Sequence, residues 1–341
     1  MDEEPVLAHA IVRLDDQLAA PVLDGLRQDA NITQPAEVKF HHFRKKKGLR
    51  TLAQALSVGG PLHGRVLIAV VDKKFMIVAD MINQLVEERA KSRGLDIHTN
   101  NSGREMARTL YLEGSRALGD RWLPLLSDFV HFGRSSARRG ARTTVDQLFT
   151  RIKDAQLRCH RRKVEEILIE LLDTRREAET FATRLENPER GVSPLEPLFK
   201  LLTVSLQNCT QRYGSVRLLH DENKLFSADI VGNYVNDLQY LPRLPPRVPR
   251  VDLADFRLGS SHQHPSIQLA DLIASAGRVV LKGIIGGASA ESEALQEAVL
   301  PHVVEPWLLP FDDLNGYARR QQQRAAMNSE RESPHRRPLE L

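Results

Sequence analysis

The sequence predicts an α/β fold, a mixed sheet interrupted by a long all-helical excursion. Three observations carry this. "RVLIAVVDK" (65–73) contains six consecutive apolar residues, Val66 to Val71, the pattern of a strand covered on both faces. Shorter strand-like segments stand at 5–13, 215–221 and 251–258. Between the second and third of these four segments, residues 75–213 show apolar spacing that is helical almost throughout. The organisation read from this is an N-terminal part of an α/β core (1–74), a helical insertion (75–213), a C-terminal part of the same core (214–316) and a disordered tail (317–341), which is rich in Gln, Arg, Ser and Glu.

Each element has its own signal. In "PVLAHAIVR" (5–13), Val6, Ala8, Ala10 and Val12 alternate onto one side, as a half-buried strand requires. Leu18, Val22, Leu26 and Ala30 recur at helical spacing over 18–30, and "LRTLAQAL" (49–56) is a second short helix stopped by Gly59-Gly60-Pro61. Between them, "AEVKFHHFRKKK" is a short extended piece that ends in a basic cluster. Within the excursion, Val145, Leu148, Phe149 and Ile152 make one stripe. Val164, Ile167, Leu168, Leu171 and Leu172 make the next, continued by Ala178, Phe181 and Leu185. "NPERG" (187–191) breaks the run, and Ser193, Pro194 and Glu196 give the capping spacing of a new helix that Gly214 ends. A helix is expected near 225–240, then a stiff connector "LPRLPPRVPR" (241–250), a strand at 251–258 and a closing helix through "HPSIQLADLIASAG" (264–277).

Composition is that of an ordinary water-soluble globular protein: 341 residues, 41% hydrophobic and 27% charged. No apolar run approaches the length of a membrane span, so no membrane partner is expected, and "MDEEP" does not read as a signal peptide. With Cys159 and Cys209 as the two cysteines there is no disulfide framework, and a reducing cytoplasm is the expected compartment. The formal net charge is +4, yet between His131 and Lys163 ten Lys or Arg face only Asp146 and Asp154. That basic stretch suits contact with a phosphate backbone, and equally suits a solvated helix face.

The chemistry-bearing residues are carboxylates. Asp72 and Asp221 each end an apolar strand, where open α/β sheets place their ligand sites. Asp271 stands in an otherwise apolar helix between Ala270 and Leu272, so burial is expected, and a buried carboxylate needs a partner or a metal. Glu37 is a fourth candidate. Acids converging at strand ends attract Mg²⁺ or Mn²⁺ and can run phosphodiester hydrolysis. Structural alternatives stand beside each: Asp72 as a strand end, Asp221-Glu222 as a helix N-cap pair, Asp271 as a hydrogen-bonded buried acid. No Gly-rich phosphate loop ends in Lys-Ser or Lys-Thr, and no G-x-S-x-G elbow occurs. His262 and His264 lack zinc spacing and read as polar loop residues, and His41-His42 and Cys159-His160 are no stronger.

In order, "VLAHAIV", "EVKF", "VLIAVVDK", "VRLLHDE" and "PSIQLADLIA" resemble a large bacterial domain-of-unknown-function family, number 3800, across most of residues 5–282. The resemblance implies a ribonuclease H-like fold, with Asp221 and Asp271 at proposed metal-binding positions and Glu37 with Lys39 matching a Glu-x-Lys signature. It departs at one point: the family opens with a strand ending Asp-Glu-Ser-Gly, and "MDEEPVLAHAIV" resembles the segment after that strand. A start upstream of Met1 is the expectation drawn from this.

The functional expectation is a Mg²⁺- or Mn²⁺-dependent nuclease of ribonuclease H-like type. Asp221, Asp271 and Glu37 would be its catalytic acids, with Asp72 beside them as a metal ligand. Arg134, Arg138, Arg139, Arg142 and Lys39 would contact nucleic acid. The alternative is a non-catalytic module that binds nucleic acid or protein. The long amphipathic helices leave pairing with a second copy open.

Overall fold

The computed structural model describes residues 4–33, 37–95, 97, 101–133, 142–186, 195–240, 250–304, 308–314 and 316–319. They form a mixed α/β protein in which helices predominate and the strands make two small sheets. The four expected strands are present: β1 (Val6–Val12), β2 (Val66–Asp72), β3 (Val216–Asp221) and β4 (Leu253–Gly259).

β1 and β2 pair antiparallel, with Val6 opposite Asp72 and Val12 opposite Val66. All seven residues of β2 are buried. Val66, Ile68 and Val70 face one apolar cluster, and Leu67, Ala69 and Val71 face another. This is the arrangement the uninterrupted apolar run predicts. β1 alternates as read, with Val6, Ala8, Ala10 and Val12 on one side and Leu7 and Ile11 on the other.

The expectation of one continuous mixed sheet is corrected. β3 and β4 form their own parallel pair, and neither pairs with β1 or β2 among the described residues. A parallel pair needs a crossover, here α11 (Ala228–Tyr240).

On one face of the β1–β2 ladder lie α1 (Asp16–Asp29), α2 (Lys46–Leu56), α12 (Pro265–Gly286) and α13 (Ala290–Val299). Pro197–Tyr213, here α10, covers the other face. Its Leu202 and Leu206 also pack with Leu218 of β3, so α10 joins the two ladders. α10 begins at Pro197, whereas Ser193 and Pro194, read as its start, lie outside the described residues. In α1 the buried stripe is Ala19, Leu23 and Leu26, while Leu18 is exposed. Asp15 caps the helix, accepting from the Leu18 N–H, and the buried positions are Ala19 and Leu23 in place of Leu18 and Val22, with Leu26 kept. α12 comes close to the ladder at Gly277, where a Cβ would sit 2.7 Å from Ile68 Cγ2.

Between β2 and β3 the described elements are all helical. They comprise α3 (Lys73–Met81), a π-helical turn at Ile82–Glu87, α4 (Glu88–Ser92), α5 (Ser102–Leu118), α6 (Trp122–Phe132), α7 (Val145–Leu157), α8 (Arg162–Leu172), α9 (Arg175–Glu186) and α10. The predicted stripes of α7, α8 and α9 meet in an apolar cluster of their own with Phe75, Leu110, Phe129 and Phe132. Beyond α13, Leu314 and Ala318 are buried, and Tyr317 stacks on Phe311. The start of the expected disordered tail is therefore part of the packed structure. No helix among the described residues is long and apolar enough to cross a membrane.

Candidate functional site

Two of the four carboxylates singled out in the sequence, Glu37 and Asp221, share one partner, and Asp271 lies within electrostatic reach of both. Asp221 ends β3, and the turn after β4 brings Ser261 to it, the Ser261 N–H donating to Asp221 Oδ1 at 3.1 Å. The Ser261 hydroxyl donates to Glu37 Oε1 at 3.0 Å. Glu37 Oε2 lies 3.2 Å from Lys39 Nζ and 4.0 Å from His262 Nε2. Beneath them sits the buried amide of Gln268 in α12. Its Oε1 accepts from the Val38 N–H at 3.1 Å, and its Nε2 donates to the Ser261 carbonyl at 2.7 Å. Both ends of a buried amide are thus satisfied, which fixes the Glu37 segment against the Ser261 turn.

Asp271 corrects an expectation. It is solvent-exposed, because Gln268, Leu269, Leu272 and Ile273 take the inward face of α12 and residue 271 falls outside that arc. It accepts no hydrogen bond from a described residue. Although solvent reaches it, the protein around it withholds enough water to raise its pKa above the ordinary carboxylate value. Lys39 and Arg278 oppose that rise, while Glu37 and Asp221 add to it. The three acids therefore share one electrostatic neighbourhood. For Glu37, desolvation pushes upward, but Lys39 and Ser261 outweigh it and hold the carboxyl below its usual range.

Asp72 does not join them. It is buried at the junction of β2 and α3, where one oxygen accepts from the N–H groups of Lys74 and Phe75, and the other from the Tyr111 hydroxyl. The strand runs directly into a helix, so this Asp is the N-cap. Arg142 is likewise turned inward. Its guanidinium donates to the carbonyls of Phe132 and Ala182 and pairs with Glu186, which ties α6 to α9. Arg134, Arg138 and Arg139 lie outside the described residues.

Beside the acids, a cavity of about 320 Å³ separates the two ladders. Ala8 to Val12 of β1 line it consecutively, as do Val216 to Asp221 of β3, with Ser266, Ala270, Asp271 and Ala274 of α12 between them. Consecutive residues line a cavity only when the strand's edge, not one of its faces, borders it. Both bordering edges are without a strand partner among the described residues. In the same wall His9 Nδ1 meets Ser205 Oγ at 2.9 Å, and the His9 ring stacks on His220. Desolvation, with His220 beside it, pushes the His9 pKa down to about 3, so the ring is neutral at pH 7.

Sequence reasoning missed Ser261 and the organising part played by Gln268. It also missed Asp16, which accepts from the N–H and hydroxyl of Ser266 and pairs with His264 Nδ1 at 2.6 Å. This locks α1 to the start of α12. No local signal marks these contacts, because their partners lie far apart in sequence.

A hard divalent cation prefers oxygen donors, and Glu37, Asp221 and Asp271 supply them. Among the described residues, however, no three His, Cys, Asp or Glu side chains stand arranged to hold a metal ion. Glu37 would have to release Lys39 and turn toward the other two. No protein-family model, curated protein or solved structure matches the chain.

Proposed function

We propose that this protein is a phosphodiester hydrolase of ribonuclease H-like type, with Glu37, Asp221 and Asp271 as the residues that hold Mg²⁺ or Mn²⁺. The observation that carries the reading is that Ser261, held by Gln268, ties Glu37 to Asp221, with Asp271 of the same helix as Gln268 in their electrostatic neighbourhood. A bound divalent ion would polarise the phosphate and lower the pKa of attacking water. The chain's own groups have defined tasks. Asp271, with neither oxygen hydrogen-bonded to a described residue and its pKa raised above the ordinary carboxylate value, is the acid of the set best suited to take up a proton. Lys39, once released by Glu37, offers an ammonium to a phosphate oxygen. Residues 75–213 would be an insertion in a core made of the segments on either side.

The cavity between β1 and β3 supports the same reading. It adjoins Asp221 and Asp271 and is bordered by two strand edges without a strand partner among the described residues, so a ligand in it would lie against these acids. The test is cleavage of single- and double-stranded DNA and RNA with Mn²⁺, in wild type and Asp271→Asn. Mn²⁺-dependent cleavage lost in the variant supports the reading, and cleavage unchanged by the substitution removes it. A second reading, a binding module without chemistry, is favoured by the lack of a ready-made three-ligand group among the described residues. On that reading Mn²⁺ leaves the melting temperature unmoved.

A further inference from the structure

Besides the basic stretch at 131–163, of which residues 134–141 lie outside the described residues, a second basic stretch begins beside the acids. From Lys39 to Arg50 the chain reads KFHHFRKKKGLR, with six Lys or Arg and no Asp or Glu. It starts at Lys39, the ion-pair partner of Glu37. Phe40 and Phe43 of the adjoining 3-10 turn are buried in the core that α12 shares. Gly48 then tucks α2 against that turn, since a Cβ there would meet the Phe43 backbone at 2.7 Å. The strip is thus held in a fixed place beside the helix that carries Asp271.

Its charges are exposed and largely uncompensated. Lys45, Lys46, Lys47 and Arg50 are exposed, and among the described residues none of them has a carboxylate within ion-pair distance, while Arg44 pairs with Glu291 at 3.3 Å. Lys46 and Arg50 are four residues apart and share one face of α2. Lys45 is the N-cap of α2 and makes no side-chain capping bond. Three consecutive lysines at a helix N-terminus oppose the helix dipole, an arrangement that costs stability until an anion is bound. Together these features mark a surface kept for a polyanion at the expense of the helix.

We infer that the strip Lys39–Arg50 is the surface on which a nucleic-acid phosphate backbone lies as it enters the carboxylate site. This rests on the hydrolase reading for its choice of polyanion, and it can fail on its own. The experiment is fluorescence anisotropy of a short labelled single-stranded oligonucleotide, over a range of salt, with the wild-type chain and the combined variant Lys45→Gln, Lys46→Gln, Lys47→Gln. The variant is expected to bind roughly tenfold more weakly, and its log–log salt slope to fall by about 2 for three lost phosphate contacts. Its melting temperature should hold or rise, because cations are removed from a helix N-terminus. Equal affinity and slope in the two proteins would overturn the strip. So would wild-type protein that ignores the oligonucleotide, whether or not it binds phosphatidylserine vesicles. The Mn²⁺-induced shift in melting temperature, measured in parallel, judges the carboxylate site separately, since the variant leaves Glu37, Asp221 and Asp271 in place.

Discussion

The Ser261 hydroxyl donates to Glu37 Oε1 at 3.0 Å across 224 residues of chain. The same residue's backbone N–H donates to Asp221, so one residue, through its hydroxyl and its main chain, links the two acids. Ser261→Ala removes the hydroxyl contact and keeps the backbone one. Manganese affinity, read by isothermal titration, should fall on the order of tenfold, the usual effect of losing a group that orients a ligand. Melting should change little. Unaltered affinity would mean that Glu37 is not a ligand.

Asp271 gives a pH-dependent test. Its folded-state pKa is raised, so folding favours the protonated form. Its stability contribution therefore improves as pH falls through the raised pKa toward the ordinary carboxylate value, and the ionised group is a net cost at neutral pH. Asp271→Asn should melt slightly higher than wild type at neutral pH, with the gap closing in acid. Manganese at a hundredfold excess over its Kd should stabilise wild type by about 2.7 kcal/mol, an effect that shrinks in the variant. A variant that melts lower at neutral pH would contradict the assignment of this carboxylate as unsatisfied.

Asp72 should behave in the opposite way. Asp72→Ala deletes the cap of α3 and strands the Tyr111 hydroxyl, and together these should cost about 2–3 kcal/mol. Denaturant melts would report that loss. The manganese shift should survive intact, which separates a structural acid from the proposed metal ligands.

Asp16 supplies an acid limb of the stability curve. Burial pushes its pKa up, but the hydrogen bonds from Ser266 and His264 prevail and hold it below the ordinary value. That stability is present above the unfolded-state pKa and is lost as pH falls through the lowered folded-state pKa. The group is partly exposed, so Asp16→Asn should cost only about 1 kcal/mol at neutral pH. Wild type and variant should converge at low pH, and parallel curves would show that the lock between α1 and α12 contributes nothing.

Much of this architecture was legible because it follows from one-dimensional patterns. Val66–Val71 could only be a strand buried on both sides, and the stripes of α7 to α9 announced a shared core. Asp271 was misread because its sequence neighbours are apolar, whereas a helix sets 268, 269, 272 and 273 on one side and 271 on another. Asp72 looked like a site residue at a strand end, but the helix begins at the next residue and takes the carboxylate as its cap. Ser261 could not be found at all, since its importance arises from the groups that the Gln268 amide places next to it. The division into two ladders was equally hidden, because hydrogen-bonding edges leave no mark on side-chain pattern.

The facing edges of β1 and β3 also govern how the molecule behaves in company. A row of unsatisfied N–H and C=O groups is a template for any extended chain, including a neighbour's own strand, and proteins usually blunt such rows with charge or proline. Here the β1 row is built from Ala8, His9, Ala10, Ile11 and Val12, with no charged residue at pH 7 and no proline among them. Concentration, crowding and heat all raise the chance that two copies exchange or stack strands at this seam. The two edges are thus a place where an extended segment could pair, and filling the gap between them would bear on how copies of the chain associate.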